Sequence, residues 1–101
     1  MLTTNALTGI KEYIKRTVSY ARYKVGSAYY KADLTDVYID GSGIVMIDLM
    51  IDHTVPGDIT VTEVQLFDTS GQLWASKAEH IDRENLKEGI FYRFTISITE
   101  L

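Results

Sequence analysis

Apolar residues recur every three or four positions up to Val25 and every second position beyond Gly26. That single change of period restricts the chain to a helix followed by strands. In the first stretch Leu7, Ile10, Ile14, Val18, Ala21 and Val25 follow one another at spacings of 3, 4, 4, 3 and 4, one stripe of an α-helix. Tyr13, Thr17 and Tyr20 broaden the stripe to one side, while Lys11, Lys15, Arg16, Arg22 and Lys24 fall largely elsewhere. Thr3, Thr4 and Asn5 offer side-chain oxygens to the unpaired amides of a first turn, and Gly26 supplies a stop. The pattern predicts a long N-terminal amphipathic helix over residues 4–24, about 30 Å at ~1.5 Å per residue.

Beyond Gly26, residues 27–33 read as extended or looping chain and Leu34–Ile39 as a strand. Asp40-Gly41-Ser42-Gly43 is a tight-turn sequence, because glycine accepts the positive φ that hairpins require. From Ile44 to Asp52, the aliphatic set Val45, Ile47, Leu49 and Ile51 must face a core, while the alternate set turns polar toward Asp52. Thr54–Asp58, with Pro56 before Gly57, reads as a turn. Ile59–Phe67 reads as a third strand whose apolar phase slips between Val61 and Val64, which predicts a bulge near Thr62–Glu63. Asp68–Gly71 is a second hairpin turn, Gln72–Lys77 a fourth strand, and Glu79–Gly89 a polar loop or short helical turn. Ile90, Tyr92, Phe94, Ile96 and Ile98 then alternate cleanly with Phe91, Arg93, Thr95, Ser97 and Thr99.

Short turns between strands favour antiparallel pairing. The fold class expected is α+β: the helix, then an antiparallel sheet or small β-sandwich of about five strands over residues 29–99, all in one domain spanning 1–101. A chain of 101 residues buries roughly 60–70% of its extended surface. That suffices for one core without disulfides, and there is no Cys to form one. No apolar run approaches the roughly 20 residues of a membrane-spanning helix, and residues 1–5 do not resemble a secretory signal.

The residues that do chemistry are sparse. His53 and His80 have no ligand-spaced partner on a shared element, and His53 reads as a solvated turn histidine. No Gly-x-Ser-x-Gly elbow occurs. Gly41-Ser42-Gly43 joins two strands, so it lacks the helix N-terminus that binds phosphate. Asp33, Asp36, Asp40, Asp48 and Asp52 do not match a calcium loop. No catalytic residue, cofactor or metal is expected, and the chain reads as a non-enzyme. Charge is divided: six basic residues against Glu12 give +5 over residues 1–31, and four basic against thirteen acidic give −9 over residues 32–101. The basic stretch suits electrostatic pairing with an acidic surface, the chain's own or a neighbour's, better than nucleic acid, since it is neither dense nor arranged as a reader motif.

The run Glu63-Val64-Gln65-Leu66-Phe67-Asp68 followed by Gly71-Gln72-Leu73-Trp74-Ala75 resembles the hairpin of phage tail-fibre and tail-collar proteins. In those, Glu, an aliphatic residue, a Leu-aromatic pair and a polar turn precede Gly-x-Leu-aromatic-Ala. Phe91–Ile98 is similar to their terminal strand. Asn5-Ala6-Leu7, Tyr23–Ser27 and Ile59–Leu66 resemble small proteins of Firmicutes phages and prophages. Relatives of that kind often carry the label ketopantoate hydroxymethyltransferase, but an enzyme of that type is a much longer (β/α) barrel with a metal site. The resemblance implies a tail-associated attachment or adaptor module, made in the bacterial cytoplasm and then carried in the virion tail. Its hairpin residues would be Glu63, Leu66, Phe67, Asp68, Gly71, Leu73 and Trp74.

Seven tyrosines suggest where such a module would touch its partners, because Tyr offers large contact area with a polar tip. Tyr13, Tyr20, Tyr23, Tyr29 and Tyr30 are the interface candidates. Self-association as a dimer or trimer, or contact with another tail component, is expected. Two other classes stay open: a regulatory or nucleic-acid-binding protein using the basic helix, and a small enzyme or ligand-binding domain.

Overall fold

The computed structural model describes residues 2–52, 57–84 and 89–98. His53, the Pro56 turn and the segment 85–88 lie outside these residues. One helix, α1 (Thr4–Thr17), precedes six strands: β1 (Val18–Val25), β2 (Ala28–Ile39), β3 (Val45–Ile51), β4 (Ile59–Asp68), β5 (Leu73–Arg83) and β6 (Ile90–Ile96). The α+β class holds, with a short helix of 14 residues and six strands in place of a long helix and about five. All pairings are antiparallel, in the order β5-β4-β1-β2-β3-β6.

Thr3 caps α1 as expected, its hydroxyl accepting from the Ala6 amide at 3.1 Å. The helix stops at Thr17, seven residues early. Thr17 Oγ1 bonds back to the Tyr13 carbonyl at 2.7 Å. The Thr17 carbonyl accepts from the Thr69 amide at 3.0 Å, and Val18 is already extended at φ −71, ψ 127. A β-branched Thr-Val pair at this point favours the strand, because branched side chains lose little on a pleated surface. Gly26 therefore ends no helix. It sits at φ 63 in the two-residue turn between Val25 and Ala28, which pair across β1 and β2.

The two predicted hairpins form, and they share one construction. In each, an Asp begins Asp-x-Ser-Gly and its carboxylate accepts two amides: Ser42 and Ile44 on Asp40 Oδ1, Ser70 and Gln72 on Asp68 Oδ1, all at 2.8–3.0 Å. Gly43 and Gly71 take the left-handed position, at φ 79 and 77.

β2 serves both halves of the sheet. Residues 28–33 pair with β1, and residues 34–39 pair with β3 after a register break between Leu34 and Asp36. One core is shared by both halves. Val45, Ile47, Leu49 and Ile51 come from β3, Val61, Val64 and Leu66 from β4, and Ala21 and Tyr23 from β1. The four aliphatic residues of β3 are fully buried, as their alternation requires. The expected bulge is present: pairing of β4 skips Thr62 against both β1 and β5. Residues 79–83, expected in a polar loop or short helical turn, belong to β5. β5 and β6 end the order without pairing, but Tyr92 Oη donates to Glu79 Oε1 across the gap at 2.6 Å. Of α1 only Ile14 is buried; Leu7 and Lys11 are half-buried, with the Lys11 ammonium against the Gly43 turn, and Ile10 and Tyr13 are left exposed.

Candidate interaction face

Because directly opposed residues share a face, the registers of β2, β1, β4 and β5 define the outer surface of this part of the sheet. Asp33, Tyr20, Phe67 and Leu73 make one row across it. Lys31, Arg22, Gln65 and Ser76 make the next, and Tyr29, Lys24, Glu63 and Ala78 the third. The rings of Tyr20 and Phe67 stack at 5.1 Å with 5° between their planes. The Arg22 guanidinium lies 4.6 Å from the Phe67 ring centre and 5.1 Å from that of Tyr29. Lys24 sits 5.5 Å from the Tyr29 ring and Lys31 5.1 Å from that of Tyr20. Each cation is attracted by the negative face of a ring, which fixes its position without neutralising it. Among the described residues none of these three cations has a carboxylate within 4.0 Å.

Arg22 Nε and Gln65 Oε1, on opposed residues at the middle of the face, are both buried with no hydrogen-bond partner among the described residues. Glu63, in contrast, is fully engaged: Ser76 Oγ donates to it at 2.6 Å, and Tyr29 Oη and Gln65 Nε2 at 2.9 Å. These bonds, from Ser76 first, hold its carboxyl below the usual range, and the bond to Glu63 raises the Tyr29 hydroxyl. Glu79 is lowered by its bond from Tyr92, and Asp82 by that from Thr60. Carboxyls depressed in the folded state add stability that is complete above their unfolded values and lost as pH falls through the folded ones. The melting temperature should therefore hold steady down to about pH 5 and then fall, with Glu63→Gln reducing the fall. An acid profile identical in Glu63→Gln would show that Glu63 takes no part in it.

No family model, curated protein or solved structure matches the chain. Its surface has to be read from the residues themselves.

The structure sorts the tyrosine candidates by position. Tyr13 is 58% exposed on α1, Tyr29 is exposed on β2, and Tyr20 is half-buried on the outer face. Tyr23 is 4% exposed and stacks on Tyr30 at 5.5 Å, on the opposite, core side; burial raises its hydroxyl. Tyr23 is thus a core residue, and Tyr30 packs against the core beside it. Among the hairpin residues, Leu66 is core, Phe67 is covered on the outer face, and Asp68 and Gly71 build the turn. Trp74 is half-buried against the core and Leu73 is 54% exposed. In the sequence Arg22 and Lys24 fall within the span expected to be helical and Lys31 within extended or looping chain, so nothing there groups the three. On a strand the alternation of Arg22 and Lys24 with Ala21, Tyr23 and Val25 puts them on one face. The helix carries only Lys11, Lys15 and Arg16 against Glu12, a balance of +2.

Among the described residues no group of three or more His, Asp or Glu side chains could hold a metal ion, and no helix is long and apolar enough to cross a membrane.

Proposed function

We propose that this chain is a non-enzymatic structural component of a phage or prophage tail, an attachment or adaptor module that binds an acidic protein surface through the face centred on Arg22. The observation that carries the reading is that Arg22, Lys24 and Lys31 are each held over an aromatic ring and, among the described residues, none has a carboxylate within 4.0 Å, Lys24 acting on the opposed Glu63 only from farther off. A cation already ordered on a ring loses little further freedom when it meets a carboxylate, so such a face favours binding by preorganisation. Exposed Leu73 at its border adds apolar contact.

The same interleaving of rings and cations would suit single-stranded nucleic acid. A net charge of −4 opposes that reading, because the field of the whole molecule repels a polyanion before contact. The protein is made in the bacterial cytoplasm and carried into the tail.

The test uses purified particles from an induced lysogen and the double variant Arg22→Glu, Lys31→Glu. The wild-type chain should be present in the particles, and the variant, folded to the same melting temperature, should be excluded. Equal incorporation of the two would remove this face from the assembly. Absence of the wild-type chain from particles, together with salt-dependent retention on single-stranded DNA, would replace the proposal by the nucleic-acid reading.

A further inference from the structure

The two ends of the sheet are not alike. The β5 edge carries Lys77, Glu79, His80 and Asp82, with Lys77 paired to Glu79 at 3.4 Å and His80 to Asp82 at 3.3 Å. Its pairing with β4 is broken at two places. Charges and irregular register are what keep an edge strand from recruiting another strand. β6 has neither. It pairs with β3 through seven consecutive residues without a break and contains no Pro, Gly or Lys. Its one charge, Arg93, is turned back onto its own sheet: Nε and Nη2 donate to the two carboxylate oxygens of Asp48 at 2.6 and 3.0 Å, and Nη2 also to Tyr38 Oη. Phe91, 53% exposed, and its neighbour across the sheet, Met50, form an apolar margin beside it.

We propose that β6 pairs antiparallel with β6 of a second copy, in a two-fold register centred on Phe94. The choice of a second copy rests on the self-complementarity of residues 90–98. Ile90, Tyr92, Phe94, Ile96 and Ile98 share the core side, and Ile98 packs on the core beyond the end of the strand. With Phe94 on the axis, Tyr92 meets the partner's Ile96 and Ile90 meets the partner's Ile98. Every core-side pair is apolar. On the outer side Arg93 meets the partner's Thr95, and Phe91 meets the partner's Ser97. No like charges are opposed. Centring on Arg93 instead would set two guanidiniums face to face, which costs stability. The arrangement is isologous and closes as a dimer. It joins two sheets into one of twelve strands and leaves the Arg22 face of each copy free. The inference rests on the assembly reading above for its biological setting, although the dimer is measured without it.

Thr95 is exposed, so its substitution tests the register without disturbing the core. Light scattering on the full chain across micromolar concentrations should show a dimer. Thr95→Lys should raise its dissociation constant about tenfold, because each lysine faces the partner's Arg93 and the contact occurs twice. Thr95→Glu should leave the dimer as tight or tighter. A mixture of Phe91→Cys and Ser97→Cys chains should form an intermolecular disulfide under mild oxidation, and neither variant alone should. A wild-type monomer throughout would overturn the proposal, as would a dimer that Thr95→Lys and Thr95→Glu weaken equally. The Arg22→Glu, Lys31→Glu variant should still dimerise. Its exclusion from particles with the dimer intact, or the converse, separates failure of one proposal from failure of the other.

Discussion

Tyr23→Ala is expected to cost about 3–5 kcal/mol in urea unfolding, and Tyr13→Ala less than about 0.5 kcal/mol. The two residues look alike in the sequence and differ in what surrounds them. Tyr23 lies on β1 opposite Tyr30 of β2 and Val64 of β4, and its ring stacks on that of Tyr30. Truncation removes the ring and leaves a cavity between two strands that are themselves held by neighbours, so the site cannot collapse. Tyr13 stands on the outer side of α1, where truncation removes nothing from the core. Equal midpoints for Tyr23→Ala and wild type would mean that β1 does not turn this face inward, and the register of the whole β2-β1-β4 region would be wrong by one residue.

Ile47→Ala should lower stability by about 2–5 kcal/mol, and Ile47→Val by about 0.5–1.5 kcal/mol. Ile47 is fully buried in the middle of β3, between Val37 on β2 and Phe94 on β6. For a domain of this size, such a loss lowers the melting temperature by roughly 10 °C or more. Calorimetry on the pair gives the check. A shift of only about 1–2 °C for Ile47→Ala would show that β3 packs loosely and that the core is centred on β4.

The strands of this protein are legible wherever one face is uniformly aliphatic. Val45, Ile47, Leu49 and Ile51 announce both a strand and its inward side, and the slip between Val61 and Val64 announces the bulge at Thr62. β1 was not legible, for a specific reason. Its pairing with β4 is irregular between Val18 and Tyr20, so Val18 and Ala21, both inward, stand three residues apart. With Val25 a further four away, the spacing imitates a helix. The true period of two, Ala21, Tyr23 and Val25, was hidden because tyrosine can serve either face.

Residues 27–33, expected as extended or looping chain, and 79–89, expected as a polar loop or short helical turn, hide their strands for a different cause. Among their inward positions Ala32 and Arg83 stand beside Tyr30 and Ile81, so the apolar alternation is thin and interrupted. Strands of that kind are specified by their neighbours and leave little mark in the local sequence. The outer face of Arg22, Lys24, Lys31, Tyr20 and Tyr29 depended on recognising β1. It becomes visible only once cross-strand registers bring residues from four strands into one surface.

β2 hands its pairing from β1 to β3 halfway along its twelve residues. Neither half of the sheet has a complete set of neighbours without it. Melting β2 from either end strips partners from β1 and β3 together, so the molecule has no point at which one half can come apart while the other survives. Loss of structure should then be a single all-or-none event. Amides along residues 28–39 should exchange with solvent only when the whole chain opens, while those of α1, which buries a single side chain, exchange long before.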